Sequence, residues 1–424
     1  MLDRISELDP ETIRTLFATD GEFRRHQSGG DYLSDFHADL RRARETGPVH
    51  EGTLEEVLGL PRSAAAGLRF DREFTAFDFE TVNSVFRRPD LFSSELMAGT
   101  NRMFGRNLLP MNGREHFHHR AAAAPTFARS TTQWWIDNWI GSITDSLLDG
   151  IEGRGAAELN LELCALLPLL TITSSFGVPI DEALRLRLLI EKMISPTFTV
   201  EERLAGSAEA ADILRPIIAE RRADPRDDVL SRLLAETVKD DSGAEVRLTD
   251  EDVLGYGRLL LTAGSGTTWR QLGITLWALL NHPEQLQAVR SDRSLVRNAI
   301  EESLRFEVTD PTFFRLATQD TELAGVAVPA GARVALCLTG ANHDPARWPD
   351  PDTFDIHRPL RPHLSFAGGP HVCLGMHVAR AELTTALNAV LDRLPNLRWD
   401  PAVERPALMG VHHRAPQSLP VVFG

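Results

Sequence analysis

Apolar side chains recur every three to four positions through most of residues 133–304, and clusters of Gly, Pro and Asp interrupt the pattern. This period is typical of helices, so the segment predicts a succession of them. Upstream, Asp78 precedes a helical pattern that runs to Arg87, and its carboxylate can accept hydrogen bonds from the free amides of a first turn. A further helix is predicted from Met376 to Leu394.

The longest of these patterns lies between Asp250 and Asn281. It spans about 30 residues, or roughly 45 Å at the rise of an α-helix. Helices of that length are uncommon in globular domains. Gly264 and Gly266 stand at its middle, where each costs roughly 1 kcal/mol relative to Ala. Such glycines indicate a close approach of another segment or a functional role.

Patterns typical of strands are short and mostly late in the chain. Residues 74–77 alternate like a brief strand, and residues 315–339 read as short strands around a Pro329-Ala330-Gly331 turn. The segment from Pro406 resembles a hairpin that ends in LPVVF. The sequence therefore predicts a mainly α fold with a minor β region, and we expect a single large domain over residues 1–424.

The charge balance excludes some classes of partner. Acidic residues outnumber basic ones, 60 against 45, for a formal charge of −15. Because nucleic acids are bound largely through Lys and Arg, we expect neither nucleic acid nor an anionic membrane as a partner. The N-terminus lacks the pattern of a signal peptide. The most apolar stretch, residues 163–178, is too short and interrupted to cross a bilayer, so we expect a buried core helix there and a cytoplasmic protein.

Three cysteines do not make a disulfide framework. Cys164 and Cys337 stand in apolar runs and are expected to be ordinary buried thiols. Cys373 differs because glycines flank it just before a helix, whose N-terminus favours a thiolate. No second cysteine lies at CxxC distance, which argues against structural zinc. The sequence also suggests no partner histidine for a cysteine nucleophile.

The neighbours of Cys373 suit a planar and charged cofactor. Gly368, Gly369 and Gly375 lack side chains, so the backbone can lie flat against such a group. Phe366 is placed to shield the sulfur, and His371 is placed to donate to an anion.

The segment from Phe366 to Gly375 resembles the cytochrome P450 signature F-x-x-G-x-H/R-x-C-x-G, with Gly369, His371 and Cys373 at its other specified positions. The similarity extends from residue 74 to the C-terminus and includes segments typical of soluble bacterial members. It implies the cytochrome P450 fold, with the long helix as the central distal helix. It also implies haem b (iron protoporphyrin IX) as the cofactor and Cys373 as the axial thiolate of its iron, which favours O–O cleavage.

Two upstream groups match further positions of the family. Glu302 and Arg305 share a helix face, and the resemblance implies that both join Arg358 in a buried network.

The resemblance also implies that basic side chains bind the haem propionates, for which charge-assisted donors are suited. The cofactor-binding set is His116, Arg120, Arg315, Phe366, His371, Cys373 and Gly375. His116 also fits a surface group with the adjacent His118 and His119.

The distal helix departs from the family at one position. The usual A/G-G-x-D/E-T-T reads Ala263-Gly264-Ser265-Gly266-Thr267-Thr268, so the acid is replaced by Gly266. Oxygen activation consumes two protons, and one member of the relay is missing. Three interpretations remain open: water held beside Gly266 by Thr267 and Ser265, a proton from a substrate hydroxyl, or peroxide-driven or other non-standard chemistry. Gly266 also makes room for a bulky substrate. The candidate catalytic residues are Ser265, Gly266, Thr267 and Thr268.

The segments that face substrate in the family are rich here in Met and aromatic residues, which suit an adaptable hydrophobic pocket. A steroid, terpenoid, fatty acyl or polyketide skeleton would fit, and each residue is equally consistent with plain core. The candidate pocket residues are Met97, Phe104, Phe198, Ala263, Phe313, Phe314 and Met409.

The resemblance implies a monooxygenase, an oxidoreductase that acts on paired donors and incorporates molecular oxygen into a hydrophobic small molecule. The chain has no flavin or iron–sulfur motif, so we expect electrons from a separate ferredoxin and its reductase. Arg361 and Arg380, near the Cys373 loop, are candidate contacts for an acidic partner. A non-catalytic haem sensor or electron carrier is the main alternative, and a haem-free cysteine hydrolase is a second. Neither needs the long grooved helix.

Overall fold

The computed structural model describes residues 10–17, 36–60, 62, 69–195, 197–239 and 243–424. Helices dominate these residues, as the apolar period predicts. In chain order they are α1 (Pro10–Leu16), α2 (Phe36–Thr46), α3 (Leu54–Val57), α4 (Phe79–Phe86), α5 (Thr100–Phe104), α6 (Gly113–Ala123), α7 (Thr132–Trp135), α8 (Gly141–Asp149), α9 (Leu166–Ser175), α10 (Ile180–Ile194), α11 (Val200–Ala223), α12 (Val229–Ala235), α13 (Asp250–Asn281), α14 (Pro283–Ser291), α15 (Val296–Phe306), α16 (Leu338–Asn342) and α17 (Met376–Arg393). Short π-helical segments, Ile136–Ile140 and Asn160–Ala165, lead directly into α8 and α9.

The long helix α13 has the predicted bounds, with 32 residues. A capping box begins it: Thr249 Oγ1 accepts from the Asp252 amide at 3.1 Å, and the Asp252 carboxylate accepts from the Thr249 amide at 3.0 Å. Helices α9, α11 and α15 pack around it. Because it is buried on several sides, α13 carries apolar residues without a single apolar stripe.

The tightest approach to α13 is near its start. A Cβ on Gly255 would lie 2.2 Å from the Arg106 carbonyl oxygen, so the backbone of residue 106 packs directly on the glycine. A Cβ on Gly264 would meet Ile172 at an ordinary 3.6 Å. Backbone approach therefore requires glycine at 255, and it does not explain the glycine at 264.

The strands of the described residues are short. They are β1 (Val49–Glu51), β2 (Glu73–Ala76), β3 (Phe92–Ser93), β4 (Ala156–Glu158), β5 (Thr237–Lys239), β6 (Glu245–Arg247), β7 (Thr312–Ala317), β8 (Thr321–Leu323), β9 (Val326–Val328), β10 (Arg333–Cys337), β11 (Arg398–Trp399), β12 (Leu408–Met409), β13 (Ala415–Pro416) and β14 (Pro420–Val422). They form a five-stranded sheet with the order β1-β2-β10-β7-β3 and four smaller sheets. Strand β10 is parallel to β2 and antiparallel to β7, which carries Arg315.

The C-terminal prediction is correct only in part. Strands β12 and β13 pair as a hairpin, but the final apolar strand β14 does not join it. Instead β14 pairs with β11 on one side and with β4 on the other. Its apolar residues are covered by these distant strands, a pairing that local sequence does not reveal.

Among the described residues, no single helix is long and apolar enough to cross a membrane. Asn160–Ser175 and Ile180–Ile194 meet the length and composition criteria only as a pair, and they are bent by 114° relative to each other. Helix α9, within the first of them, is almost entirely buried in the protein core, as its apolar sequence predicts.

Candidate functional site

The loop before α17 holds Cys373 beside the buried core. The Cys373 amide donates to the Phe366 carbonyl oxygen at 2.9 Å, which closes the loop on itself. The side chain is exposed, yet the surrounding protein raises the pKa of its thiol, while the Gly375 amide and Arg120 act in the opposite direction. The helix start thus favours the thiolate as expected, but desolvation outweighs it. A bound cation such as a metal ion would remove the thiol proton outright.

Two loop glycines pack on protein. A Cβ on Gly368 would lie 3.3 Å from Phe86 Cβ, and one on Gly369 would lie 1.9 Å from the Phe86 carbonyl oxygen. Gly369 also has a φ of 64°, in the left-handed region that favours glycine. On the side where a Cβ would stand, both glycines therefore pack on helix α4, and a planar cofactor would have to lie against another side of this backbone. A Cβ on Gly375 would meet nothing within 4 Å, so its side remains open.

Four basic side chains from three parts of the chain come together near this loop. The His116 and His371 rings stack with centroids 3.9 Å apart. Arg120, one turn after His116 on α6, donates to the Val372 carbonyl oxygen at 2.6 Å. Arg315 is buried on β7. His116 itself is 3% exposed, so the alternative of a surface histidine group is wrong.

The electrostatics of this basic cluster favour an anion. Burial first, then Arg120 and Arg315, lower the pKa of His116 to about 4. Burial and the other three members lower the pKa of His371 to about 3, and burial lowers that of Arg315 to about 10. The buried His116 Nε2 has no hydrogen-bond partner among the described residues. These donors match a group with carboxylates, such as the propionates of haem.

Glu302 lies at the centre of a buried ion network behind the Cys373 loop. Its carboxylate accepts two hydrogen bonds of 2.8 Å from Arg305 and one of 3.2 Å from Arg358. It also accepts the Asp355 amide at 3.1 Å. Arg305 in turn donates to the Pro351 carbonyl oxygen at 2.8 Å. The network thus ties α15 to the loop that leads to Cys373.

The middle of α13 presents different groups on different sides. Ala263 is exposed, and the half-buried Thr267 donates through Oγ1 to the Ala263 carbonyl oxygen at 2.8 Å. Ser265 is buried, and its hydroxyl donates to the Leu261 carbonyl oxygen at 2.8 Å. Thr267 and Ser265 therefore do not converge on one point, and only Thr267 shares a side with Ala263.

A small cavity adjoins Gly266. The space open to the centre of a water molecule is about 20 Å³, and its lining includes Ser265, Gly266 and Arg270 from α13. Arg270 donates to the Gly266 carbonyl oxygen at 3.1 Å. Arg187 and Glu191 of α10 line it too, and their side chains pair at 3.1 Å. Nothing in the sequence singles out this pair, because i, i+4 ion pairs are common on helix surfaces.

A second buried acid lies on the other side of α13. Glu382 of α17 is 4% exposed, and burial raises the pKa of its carboxyl to about 8, partly countered by the hydroxyls of Thr171 and Thr268. Glu382 stands in a segment that resembles the P450 family, but the sequence suggested no role for it. Thr268, predicted to be catalytic, is buried.

Comparisons with known proteins identify the family of the chain. The model of the cytochrome P450 family matches residues 180–406. The chain is 36% identical over 322 residues to nocardicin C N-oxygenase from Nocardia uniformis subsp. tsuyamanensis, covering 75% of this chain and 79% of that protein. It is 30% identical over 384 residues to the cytochrome P450 monooxygenase PikC from Streptomyces venezuelae, covering 88% and 87%. The chain belongs to the cytochrome P450 family.

Solved P450 structures confirm the predicted fold class. P450BioI, in complex with hexadec-9Z-enoic acid ligated acyl carrier protein, superposes with a TM-score of 0.78 at 27% identity, covering 92% of this chain and 99% of that one. CYP109E1 from Bacillus megaterium, in complex with corticosterone, gives 0.78 at 26% identity, covering 91% and 97%. This P450 is therefore a monooxygenase of the bacterial type, with haem b as its cofactor.

The predicted pocket residues of this P450 separate into two groups. Phe104 and Met409 are buried, and Phe104 packs in the main hydrophobic core. Met97 and Phe198 are half-buried, and Ala263 is exposed. Only the second group has surface available to a ligand.

The two phenylalanines of β7 lie on opposite faces of the strand, because successive side chains alternate. Phe313, 37% exposed, shares its face with Arg315. Phe314 lies on the other face, where the Arg333 guanidinium stands 4.8 Å from its ring. The prediction that both line one pocket is therefore wrong, and Phe313 is the one on the side of the basic cluster.

Arg380 has a partner within the chain. It donates to both carboxylate oxygens of Glu301, at 2.6 and 2.9 Å, and its guanidinium lies 4.5 Å from the Phe366 ring. His363 contacts the same carboxylate at 3.2 Å. These bonds fix the segments on either side of Cys373 to α15. Arg380, a candidate contact for an acidic partner, is therefore already paired within the chain.

Proposed function

We propose that this P450 hydroxylates or otherwise oxidises a hydrophobic small molecule with O2 and with electrons from a separate ferredoxin and its reductase. The observation that carries the proposal is the position of Cys373 beside the basic cluster of His116, Arg120 and Arg315, whose donors suit carboxylates. Hydroxylation balances as RH + O2 + 2e⁻ + 2H⁺ giving ROH and H2O. The protein must therefore bind the haem, place the substrate, admit protons and receive electrons.

The residues present fit haem b. Cys373 would ligate the haem iron through its thiolate. His116, Arg120, Arg315 and His371 would hold the propionates, and the haem, when bound, would supply the binding and activation of O2. The Gly375 amide, which points at the Cys373 sulfur, stabilises its anionic form. Arg120 has two effects on the Cys373 loop. Its positive charge favours the anionic form of Cys373, and its hydrogen bond to the Val372 carbonyl oxygen fixes the loop to α6.

Substrate would lie against the exposed side of α13. Ala263 is exposed on this side, and its small methyl group leaves room for a ligand. Phe313 adds an apolar wall from β7. Met97 and Phe198 are half-buried and adaptable. An apolar lining of this kind binds by excluding water, so it selects for size and hydrophobicity more than for a polar group.

Two structures of relatives support an apolar substrate class, because they hold corticosterone and hexadec-9Z-enoic acid ligated acyl carrier protein. Other relatives are named as an N-oxygenase of nocardicin C and an epoxidase of cyclomarin C. We propose a steroid, terpenoid, fatty acyl or polyketide skeleton for this chain. Oxidation at nitrogen or at a double bond belongs to the same proposal, since both occur among these names.

Peroxide-driven chemistry is a second candidate, and Gly266 is the observation that favours it. Hydrogen peroxide carries the two electrons and two protons that O2 lacks, so an enzyme that uses it needs no acid on the distal helix. Comparing product formed with peroxide alone against product formed with O2, ferredoxin and reductase distinguishes the two.

The proposed function is tested by screening steroids, terpenoids, fatty acids and macrolides for a low-spin to high-spin shift in the purified holoprotein. Ligands that shift the spectrum are then incubated with O2 and a surrogate ferredoxin and reductase, and the products are analysed. An oxidised product that depends on Cys373 supports the proposal. A holoprotein that binds these ligands and releases each of them unchanged contradicts it.

A further inference from the structure

The cavity beside Gly266 brings a carboxylate to α13 from another helix. Glu191 of α10 has a side chain only 5% exposed, and it lines the same cavity as Thr262, Ser265 and Gly266. The cavity, at about 20 Å³ open to the centre of a water molecule, has room for about one water. An acid and a water site thus adjoin the position from which the family's acid is missing.

The polar groups around this cavity suit a water molecule. Arg187 pairs with Glu191 at 3.1 Å, which compensates the buried carboxylate. Arg270 approaches from α13 and donates to the Gly266 carbonyl oxygen. A buried water needs two to four polar partners. The Glu191 carboxylate, the two guanidiniums and the Gly266 carbonyl offer that number.

The proposed reaction creates a demand for protons on this helix. Each turnover consumes two protons, and the half-buried Thr267 follows Gly266 directly on the side of Ala263. A hydroxyl passes a proton on only if another group replaces it. Among the residues that line the cavity beside Gly266, the acid is Glu191.

We infer that Glu191, positioned by Arg187, feeds protons to the distal side through a water molecule beside Gly266, in place of a carboxylate on α13 itself. The inference rests on the proposed function. Only protons move: solvent protonates the Glu191 carboxylate, the carboxyl gives that proton to the water, and the water passes one toward Thr267. Arg187 holds the carboxylate between turnovers. Glu382 is the competing source, because it lies beside Thr268.

The test uses substrate-free holoenzyme with a surrogate ferredoxin and reductase, so no substrate has to be known. Glu191→Gln is expected to slow electron-driven O2 consumption about tenfold or more, as removal of a general acid does, and to enlarge the solvent deuterium isotope effect. Glu182→Gln, on the same helix in an exposed pair with Arg185, is the matched control. Adding Gly266→Asp to Glu191→Gln restores an acid to the cavity and is expected to recover most of the rate.

A readout independent of turnover is the C–O stretching frequency of carbon monoxide on the reduced protein, which responds to the polarity of the distal side. It is expected to change in Glu191→Gln, to stay unchanged in Glu182→Gln, and to move back in the double variant. If Glu191→Gln folds poorly because Arg187 loses its partner, Arg187→Leu/Glu191→Gln removes both charges and carries the same expectation.

Two kinds of failure are distinguishable. If wild-type holoprotein lacks the spectrum of thiolate-ligated haem, the proposed function and this inference both fall. If wild type has that spectrum, and Glu191→Gln keeps its O2 consumption, isotope effect and C–O stretch, only the inference falls. The same loss in Glu382→Gln alone would assign the relay to Glu382 instead and overturn the role of Glu191.

Discussion

The guanidinium of Arg270 lies where a side chain on Gly266 would begin, since a Cβ built on Gly266 would be 2.9 Å from Arg270 Nη1. The same nitrogen donates to the Gly266 carbonyl oxygen at 3.1 Å. A cation therefore stands on α13 at the position of the family's anion. The acid that shares a cavity with Gly266, Glu191, comes from α10, and it is the proton source that we infer.

The glycines of α13 differ in how they tolerate a methyl group. Gly255→Ala is expected to destabilise the protein by about 2 kcal/mol, because the new Cβ would overlap the Arg106 carbonyl oxygen and force the backbone to move. Gly264→Ala is expected to be neutral or stabilising by up to about 1 kcal/mol, because the helix gains propensity and Ile172 stays at ordinary distance. Urea unfolding of both variants measures this, and equal effects would contradict the packing argument.

Removal of Arg315 is expected to weaken haem binding. Its buried guanidinium is one of the donors assigned to the propionates, and a hydrogen bond to a charged group contributes about 1.5–3 kcal/mol. Arg315→Leu should therefore lose haem to an acceptor protein roughly 10- to 100-fold faster than wild type. Arg297→Leu, at an exposed position of α15, is the control and should leave the rate unchanged. Equal rates in all three proteins would exclude Arg315 from the propionate set.

The stability of the protein is expected to depend on pH through Glu382. Burial raises the pKa of this carboxyl from 4.5 to about 8, so the folded state holds a proton that the unfolded state releases. Stability from this group is therefore present below pH 4.5 and is lost as pH rises toward 8, by an amount on the order of a few kcal/mol. Glu382→Gln does not ionise and should remove that slope.

The measurement for Glu382 is the free energy of unfolding between pH 5 and pH 9. The gap between Glu382→Gln and wild type should grow in favour of the variant up to about pH 8 and then level off. Glu322→Gln, at an exposed residue, should follow wild type throughout. A constant gap across the range would show that Glu382 is ionised in the folded protein.

The Glu302 network is expected to be essential for the Cys373 loop. Glu302→Gln leaves Arg305 and Arg358 without their shared counter-charge, and breaking a buried pair in this way costs about 3–5 kcal/mol. The exposed i, i+3 pair of Glu182 and Arg185 offers a matched comparison, for which Glu182→Gln should cost less than about 1 kcal/mol. Thermal unfolding and haem content together measure the effect, and a Glu302→Gln protein as stable as wild type would refute it.

Sequence reasoning was most successful where the signal is local. The bounds of α13, the cap at Asp78, the Glu302 and Arg305 pairing and the fold class all follow from periodicity, capping chemistry and a motif of fixed spacing. These features depend on neighbours within a few residues, or on a pattern shared with the P450 family.

The features that the sequence did not reveal depend on contacts across the chain. Glu191 reaches the cavity beside Gly266 only because α10 packs next to α13, and β14 pairs with strands far from it in sequence. The helix start favours a lower thiol pKa at Cys373, but desolvation by protein packed around the loop raises it. Burial is a sum over the whole fold, so a local motif does not determine it.

The central claim is that Cys373 ligates haem iron as a thiolate. The most direct measurement is the optical spectrum of the reduced, carbon-monoxide-bound holoprotein, for wild type and for Cys373→Ser. The account predicts the Soret band of thiolate-ligated haem in wild type, and a haem-containing Cys373→Ser protein without that band. A well-folded wild-type holoprotein that lacks the band, or a Cys373→Ser protein that retains it, would contradict the assignment.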